Sequence, residues 1–427
     1  MSSNAIADLS FTRHTLANGL RVVLHQDASL PLVAINIWYH VGSKNERPGR
    51  TGFAHLFEHM LFQGSEHVGT NDHFRLVQQV GGVANGSTWY DRTNYYETLP
   101  AHQLDLGLWL ESDRMGFVLP AITAEKLETQ RQVVMNERRQ RVENQPYGLA
   151  NERLRELEYP LDHPYHWPVL GYMEDIAAAT LDEIRAFFST YYTPNNAVLT
   201  LAGAFDPGAA LDRIAAWFGD IPAGPPLPPP APALSQPPPL GERRAVIEDD
   251  VQLPRVFIAH RIPAFGDRLW YAADVFAVAI ASGKSSRLYR DLVYERQIAQ
   301  DVSAYVNPFE AMGDLVIVAT ARPGIEPAAI EEAIGQHLAR AAAEPLGTAE
   351  LEGACNRILT DYWSSLELLG NRADSFSQFA TYFDDPGRLT GEADCYRGVT
   401  RADAQELAAG YLDAEQRVVV TVVPKGR

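Results

Sequence analysis

A chain of 427 residues exceeds what one hydrophobic core ordinarily organises, so two or more domains are expected. Its composition, 46% apolar and 21% charged, is that of a globular protein and excludes intrinsic disorder. The net charge of −18 excludes a phosphate-binding face, and with it nucleic acid as a partner.

No apolar run approaches the roughly eighteen residues that a membrane helix needs, so no membrane insertion is expected. Met1–Ser10 has no basic start, apolar run or small-residue cleavage site. A cytoplasmic location is therefore expected, or a periplasmic one if a signal has been removed.

Arg21–Leu24 and Leu32–Tyr39 are rich in Val, Ile, Leu and aromatics and predict two strands. Gly52–Phe62 then has helical apolar spacing and contains His55-Leu-Phe-Glu58-His59. Residues four apart share a helix face, so His55 and His59 point at one ion, and Glu58 lies on the same side. Unpartnered polar groups in so apolar a helix would be costly. Neutral imidazoles suit Zn²⁺, whose catalytic sites take three protein ligands and keep one position open. Zinc lowers the pKa of a bound water towards roughly 7, and a carboxylate placed like Glu58 can take its proton as general base. The H-x-x-E-H order is the inverzincin signature.

A third ligand must come from elsewhere. His67 and His73 lie in a loop-like stretch containing Gly and Asn, and Gly81-Gly-Val-Ala-Asn85 reads as a Gly-rich turn. Trp89 and Tyr95 read as core or groove wall. Helical spacing resumes over His102–Met115 and Glu125–Asn144. In the latter, Leu127, Gln130, Val134 and Glu137 form one stripe that ends in a charge. Spacing alone does not separate Glu137 from Glu128 or Glu111. A helix over Leu181–Tyr191 and a strand over Ala197–Ala202 close the first half.

Pro222–Leu240 is a proline-rich run that predicts a stiff connector. Across it the chain repeats itself. Asp27–Ile35 and Asp250–Ile258 share D-x-x-L-P-x-V-x-I, and Asn195–Leu201 is similar to Gln416–Val422. The offsets, 258 − 35 = 223 and 422 − 201 = 221, nearly agree, as a duplication requires. The expected fold class is α+β, with two homologous domains, each a mainly antiparallel sheet packed with helices. They would span 1–221, which bears the zinc motif, and 241–427, which lacks it, joined by the 222–240 linker. The offset sets Val278 and Ala281 opposite His55 and Glu58, so one zinc site per chain is expected. Cys355 and Cys395 are expected to be two buried thiols.

The chain resembles the family of pitrilysin, insulin-degrading enzyme and mitochondrial processing peptidase over nearly its whole length. Besides H-x-x-E-H, the resemblance is carried by Asn18-Gly19-Leu20-Arg21, Gly81–Asn85, His163-Pro-Tyr-His-Trp-Pro168 and Tyr191-Tyr-Thr-Pro-Asn-Asn196. It implies that the third zinc ligand is Glu137, ending Val133-Val-Met-Asn-Glu137, with Glu58 as general base. It also implies that Asn85 helps to hold a peptide substrate beside an edge strand.

Two departures stand out. Gln130 replaces a second glutamate of the family, and Val293 and Gln300 occupy the positions of an Arg and a Tyr that bind substrate and stabilise the oxyanion. The resemblance therefore implies the zinc-bearing subunit of a heterodimeric endopeptidase. Its homologous partner would lack the zinc motif and supply the Arg/Tyr pair around an enclosed chamber. Arg290, Tyr294 or Tyr305 standing in for that pair is the alternative within the same chemistry. A structural or chaperone-like subunit, and a processing enzyme for a single peptide, are the alternatives outside it.

Overall fold

β-Branched and aromatic runs of both halves pair into two sheets. A computed structural model describes residues 9–234 and 239–426. Residues 1–8, on which the localisation reading largely rests, and 235–238 of the proline-rich connector lie outside the described residues. The first sheet contains β1 (Thr12–Thr15), β2 (Arg21–Gln26), β3 (Leu32–Tyr39), β4 (Val83–Thr88), β5 (Thr93–Pro100) and β6 (Ala197–Gly203), in the order β1-β2-β6-β3-β5-β4. The second contains β7 (Arg243–Asp249), β8 (Arg255–Ile262), β9 (Ala299–Asn307), β10 (Gly313–Ala321) and β11 (Val418–Pro424), in the order β7-β11-β8-β10-β9.

Without β1 the two orders correspond strand for strand. The one parallel pair also falls at the same place, β2 with β6 and β7 with β11, while the other pairings are antiparallel. The duplicated α+β architecture is thus observed. Its register corrects one detail of the sequence match. Ile35 faces Leu201 and Ile258 faces Val419, so Leu201 corresponds to Val419, at an offset of 419 − 201 = 218. The similarity of Leu201 to Val422 is a slide of three residues along a β-branched run.

The division at 1–221, 222–240 and 241–427 follows chain order, but the compact units do not. One comprises the chain up to Asn136, Val169–Pro229 and Trp363–Gly391. The other comprises Glu137–Pro168, Pro230–Tyr362 and the chain from Glu392 onward. Each unit therefore includes a segment from the opposite half of the chain.

In the first unit, one sheet face buries Val22, Ile35, Ile37 and Leu199 against Phe57, Leu108, Val134 and Phe188. These come from α1 (Phe53–Met60), α3 (Leu104–Phe117), α4 (Ala124–Arg138) and the helix Leu181–Tyr191, while α2 (Asp72–Gln79) covers β4. The opposite face receives the helix Leu369–Phe383, where Ala34, Ala202 and Ala373 permit close approach. Asp374 fastens that helix. Its Oδ1 accepts hydrogen bonds from Asn36 Nδ2 (3.0 Å), Trp38 Nε1 (2.7 Å) and Asn94 Nδ2 (2.9 Å).

In the second unit, α5 (Ala150–Glu158) lays Ala150 and Leu154 on Phe257, Val316 and Val420. Both cysteines are free, but only Cys355 is buried; Cys395 is exposed, contrary to expectation, on the outer side of its helix. Among the described residues no helix is long and apolar enough to cross a membrane.

Replacing Asp374 by Ala leaves three largely buried donors without their acceptor. It should destabilise the chain by about 3 kcal/mol, read as a lower midpoint in urea unfolding with an unchanged slope.

Candidate metal centre

The centre begins at the first turn of α1. Gly52 caps it with φ of 82°, the left-handed region that favours glycine. A Cβ there would meet the Leu170 carbonyl oxygen at 2.8 Å. Gly52 has no side chain to cap the helix, and Glu46 does so instead. Its carboxyl oxygens accept the N–H groups of Gly52 and Ala54, both at 2.8 Å, and so satisfy two donors that the helix start leaves open.

From this start Phe53, Leu56, Phe57 and Met60 turn into the core, His55 is buried, and Glu58 and His59 are half-buried on the same side. The two imidazole centroids lie 4.7 Å apart with the rings inclined at 70°. The Thr88 hydroxyl at the end of β4 donates to Glu58 Oε2 at 2.6 Å.

On α4 the predicted stripe is realised: Leu127, Gln130 and Val134 are buried, and Glu137 is half-buried at its end. The boundary between the compact units falls within this helix, between Asn136 and Glu137. The helix then loosens into a π-turn over Arg139–Glu143, a form frequent at functional sites. One ligand atom from each of His55, His59 and Glu137 lies within 4.8 Å of the others. Arg141 Nη1 is 2.9 Å from Glu137 Oε1. Two imidazoles and a carboxylate are a donor set that fits zinc.

The other candidates fall elsewhere. Glu128 is exposed and pairs with Arg131. His67 Nδ1 lies 2.5 Å from Asp113 Oδ1. His73 is on α2, not in a loop, and groups with Glu97 and Glu111. Asn85 is exposed on β4, the edge strand, where its Oδ1 accepts the Gly86 N–H at 2.9 Å. Tyr95 is core. In the second unit Val293 is buried in a π-turn over Tyr289–Glu295, Gln300 is exposed on β9, and Tyr305 lies on the same strand. Among the described residues no metal-type triad occurs in that unit.

Residues 21–162 match the family profile described as insulinase (peptidase family M16), and residues 178–358 match that of the peptidase M16 inactive domain. The chain belongs to peptidase family M16. A relative in Helicobacter pylori named zinc protease PqqE is 29% identical over 417 residues, covering 96% of this M16 chain and 92% of that protein. The crystal structure of a protease from Helicobacter pylori matches with a TM-score of 0.91 at 28% identity, over 97% of this chain and all of that one. The uncharacterized zinc protease YmxG of Bacillus subtilis is 25% identical over 356 residues, 83% of this chain and 84% of that protein.

The second acidic group of this M16 chain carries different chemistry. His73, Glu97, Glu111 and Arg114 are all buried. Arg114 Nη2 lies 2.8 Å from His73 Nδ1, Arg114 Nη1 lies 3.4 Å from Glu111 Oε1, and His73 Nε2 lies 3.4 Å from Glu97 Oε2. The guanidinium already fills the cationic place, so a metal ion would be repelled there. Two carboxylates against one guanidinium leave an excess negative charge, which a proton removes. Burial pushes Glu97 up to about 7 and Glu111 upward, while burial and then Arg114 push His73 down to about 3.

Between their unfolded pKa values, burial thus favours a proton on Glu97 and disfavours one on His73. The raised Glu97 contributes stability that is present below its unfolded pKa and lost as pH rises to about 7. The depressed His73 contributes stability that is lost as pH falls below its unfolded value near 6.5. The two slopes oppose each other between roughly pH 4.5 and 6.5. In Glu97→Gln only the His73 slope remains of the two. Its stability relative to the parent chain should fall by up to about 1.4 kcal/mol per pH unit on acidification through that window, as followed by thermal melts from pH 7 to pH 5.

Proposed function

We propose that this chain is the zinc-bearing subunit of an M16 endopeptidase that hydrolyses peptides or unfolded segments, with His55, His59 and Glu137 as ligands and Glu58 as general base. The observation that carries the reading is the meeting of three ligand atoms within 4.8 Å, with Glu58 one residue before His59 on the same helix. The names of the relatives, zinc proteases, support zinc as the ion. When bound, zinc would supply Lewis acidity, acidifying a water and polarising the scissile carbonyl.

The protein's own groups do the rest. Glu58 takes the proton of the attacking water as its oxygen forms a bond to the carbonyl carbon, and later returns a proton to the departing amine. Thr88 holds one oxygen of Glu58 at 2.6 Å and thereby fixes which way the carboxylate faces. We assign to Asn85, which is exposed on the edge strand, a part in orienting a peptide added alongside β4. Val293 and Gln300 supply neither cation nor phenol to a tetrahedral intermediate. A missing oxyanion donor costs about 10²–10³ in rate, and we assign that role to an Arg/Tyr pair on a homologous partner lacking the zinc motif. A chamber shared by the two subunits would admit extended chains more readily than folded ones.

The zinc-loaded chain alone should be silent towards a quenched-fluorescent peptide library, and addition of the Arg/Tyr-bearing partner should start chelator-sensitive hydrolysis. Turnover by the isolated chain would remove the partner from the mechanism. In the reconstituted pair, Glu58→Gln should lower kcat by about 10²–10⁴-fold while metal analysis still finds one zinc per chain. Normal cleavage by that variant would overturn the assigned base.

A further inference from the structure

The sheet face opposite the candidate centre holds a cavity of about 480 Å³ between β3, β4, β5 and the start of the helix Leu369–Phe383. Its apolar walls stand unusually open: Leu30 is 59% exposed, Val83 68%, Tyr96 37% and Leu368 64%. Its lining includes Asn36, which is only 1% exposed. Asn36 Nδ2 donates to Asp374 Oδ1 at 3.0 Å, and that bond fixes the amide, because a flip would set oxygen against carboxylate. Asn36 Oδ1 is then a fully buried acceptor in the cavity floor, without a hydrogen-bond partner among the described residues. The charged lining residues, Asp27, Glu367 and Asp374 against Arg92 and Arg372, favour a neutral or cationic guest over an anion.

Strand geometry says what such a guest would be. Side chains alternate across a strand. Val83, Asn85 and Ser87 pair with Thr98, Tyr96 and Asn94 and share the cavity face, whereas Thr88 lies on the other face, beside Glu58. β4 is also the free edge of its sheet. One extended peptide laid along that edge would present side chains to the Glu58 face and to the cavity face in turn.

We propose that this cavity is a second recognition site for the peptide substrate, in which a peptide laid along β4 seats an apolar side chain between Val83, Tyr96 and Leu368. The proposal rests on the peptide-hydrolysis reading above, but its test does not need turnover.

The probe is a fluorescein-labelled extended peptide with one central Leu, and the same peptide carrying Ser there. Both are titrated by anisotropy onto the full Glu58→Gln chain with chelator present. The Leu peptide should bind about tenfold tighter than the Ser peptide, and Leu368→Asp should abolish that preference. Leu368 is exposed at the cap of its helix with extended backbone, where Asp is a favoured residue, so the substitution should leave the melting temperature unchanged. Equal binding of the two peptides, or an unchanged preference in Leu368→Asp, would overturn the proposal. If instead the preference is lost as expected but no zinc-dependent hydrolysis appears in any pairing, the catalytic reading fails and the cavity stands as a peptide site.

Discussion

The zinc-type centre depends on how α1 leaves its preceding loop. His55, Glu58 and His59 ride on one eight-residue helix, so a tilt of its first turn would displace all three together. Two constraints hold that turn. Gly52 adopts a left-handed conformation in a space where a Cβ would strike the Leu170 carbonyl. The Glu46 carboxyl group gathers two of the N–H groups that a helix start leaves unsatisfied. The buried Phe53, Leu56 and Phe57 then press the helix onto the sheet core, and rotation about its axis is closed off as well.

The same sheet turns its last two strands to three tasks. On the core face, β5 carries Tyr95, Glu97 and Leu99 inward. The Glu97 charge problem is answered by Arg114 of α3 and a proton rather than by solvent. Arg114 also lies over the Phe62 and Tyr95 rings, at 4.6 and 4.4 Å from their centroids, so the cluster ties α2, α3 and β5 into one block. Thr88 of β4 reaches from that face to the proposed base, while Asn85 and its neighbours face the other way. A single edge strand thereby links orientation of the base to the surface on which an extended chain would lie.

Much of this was legible in the sequence, and the gaps have physical causes. Leu32–Tyr39 and Leu181–Tyr191 form as expected because their apolar periodicity is unambiguous, and the His55/His59 pairing follows from the helical repeat. Glu137 could not be chosen over Glu128 or Glu111 by spacing, since all three lie on helices and only their neighbours distinguish them. The family resemblance favoured Glu137; the fold sends Glu111 to the Arg114 cluster and leaves Glu128 on the surface. His73 was misread as a loop residue because α2 has only Phe74, Leu76 and Val77 as apolar residues. The closing-strand slide of three residues reflects a run of valines, whose side chains look alike at every register. The segments that cross between halves leave no local mark, because a helix with one apolar stripe does not declare which sheet it covers.

That exchange bears on how the protein comes off the ribosome. The outer face of the first sheet, with Ala34 and Ala202 exposed to water until then, is covered by a helix ending at Phe383. Domain-by-domain folding during synthesis is thus denied to the half that is made first. The unit bearing His55, Glu58 and His59 reaches its final packing only when the chain has been translated through Phe383.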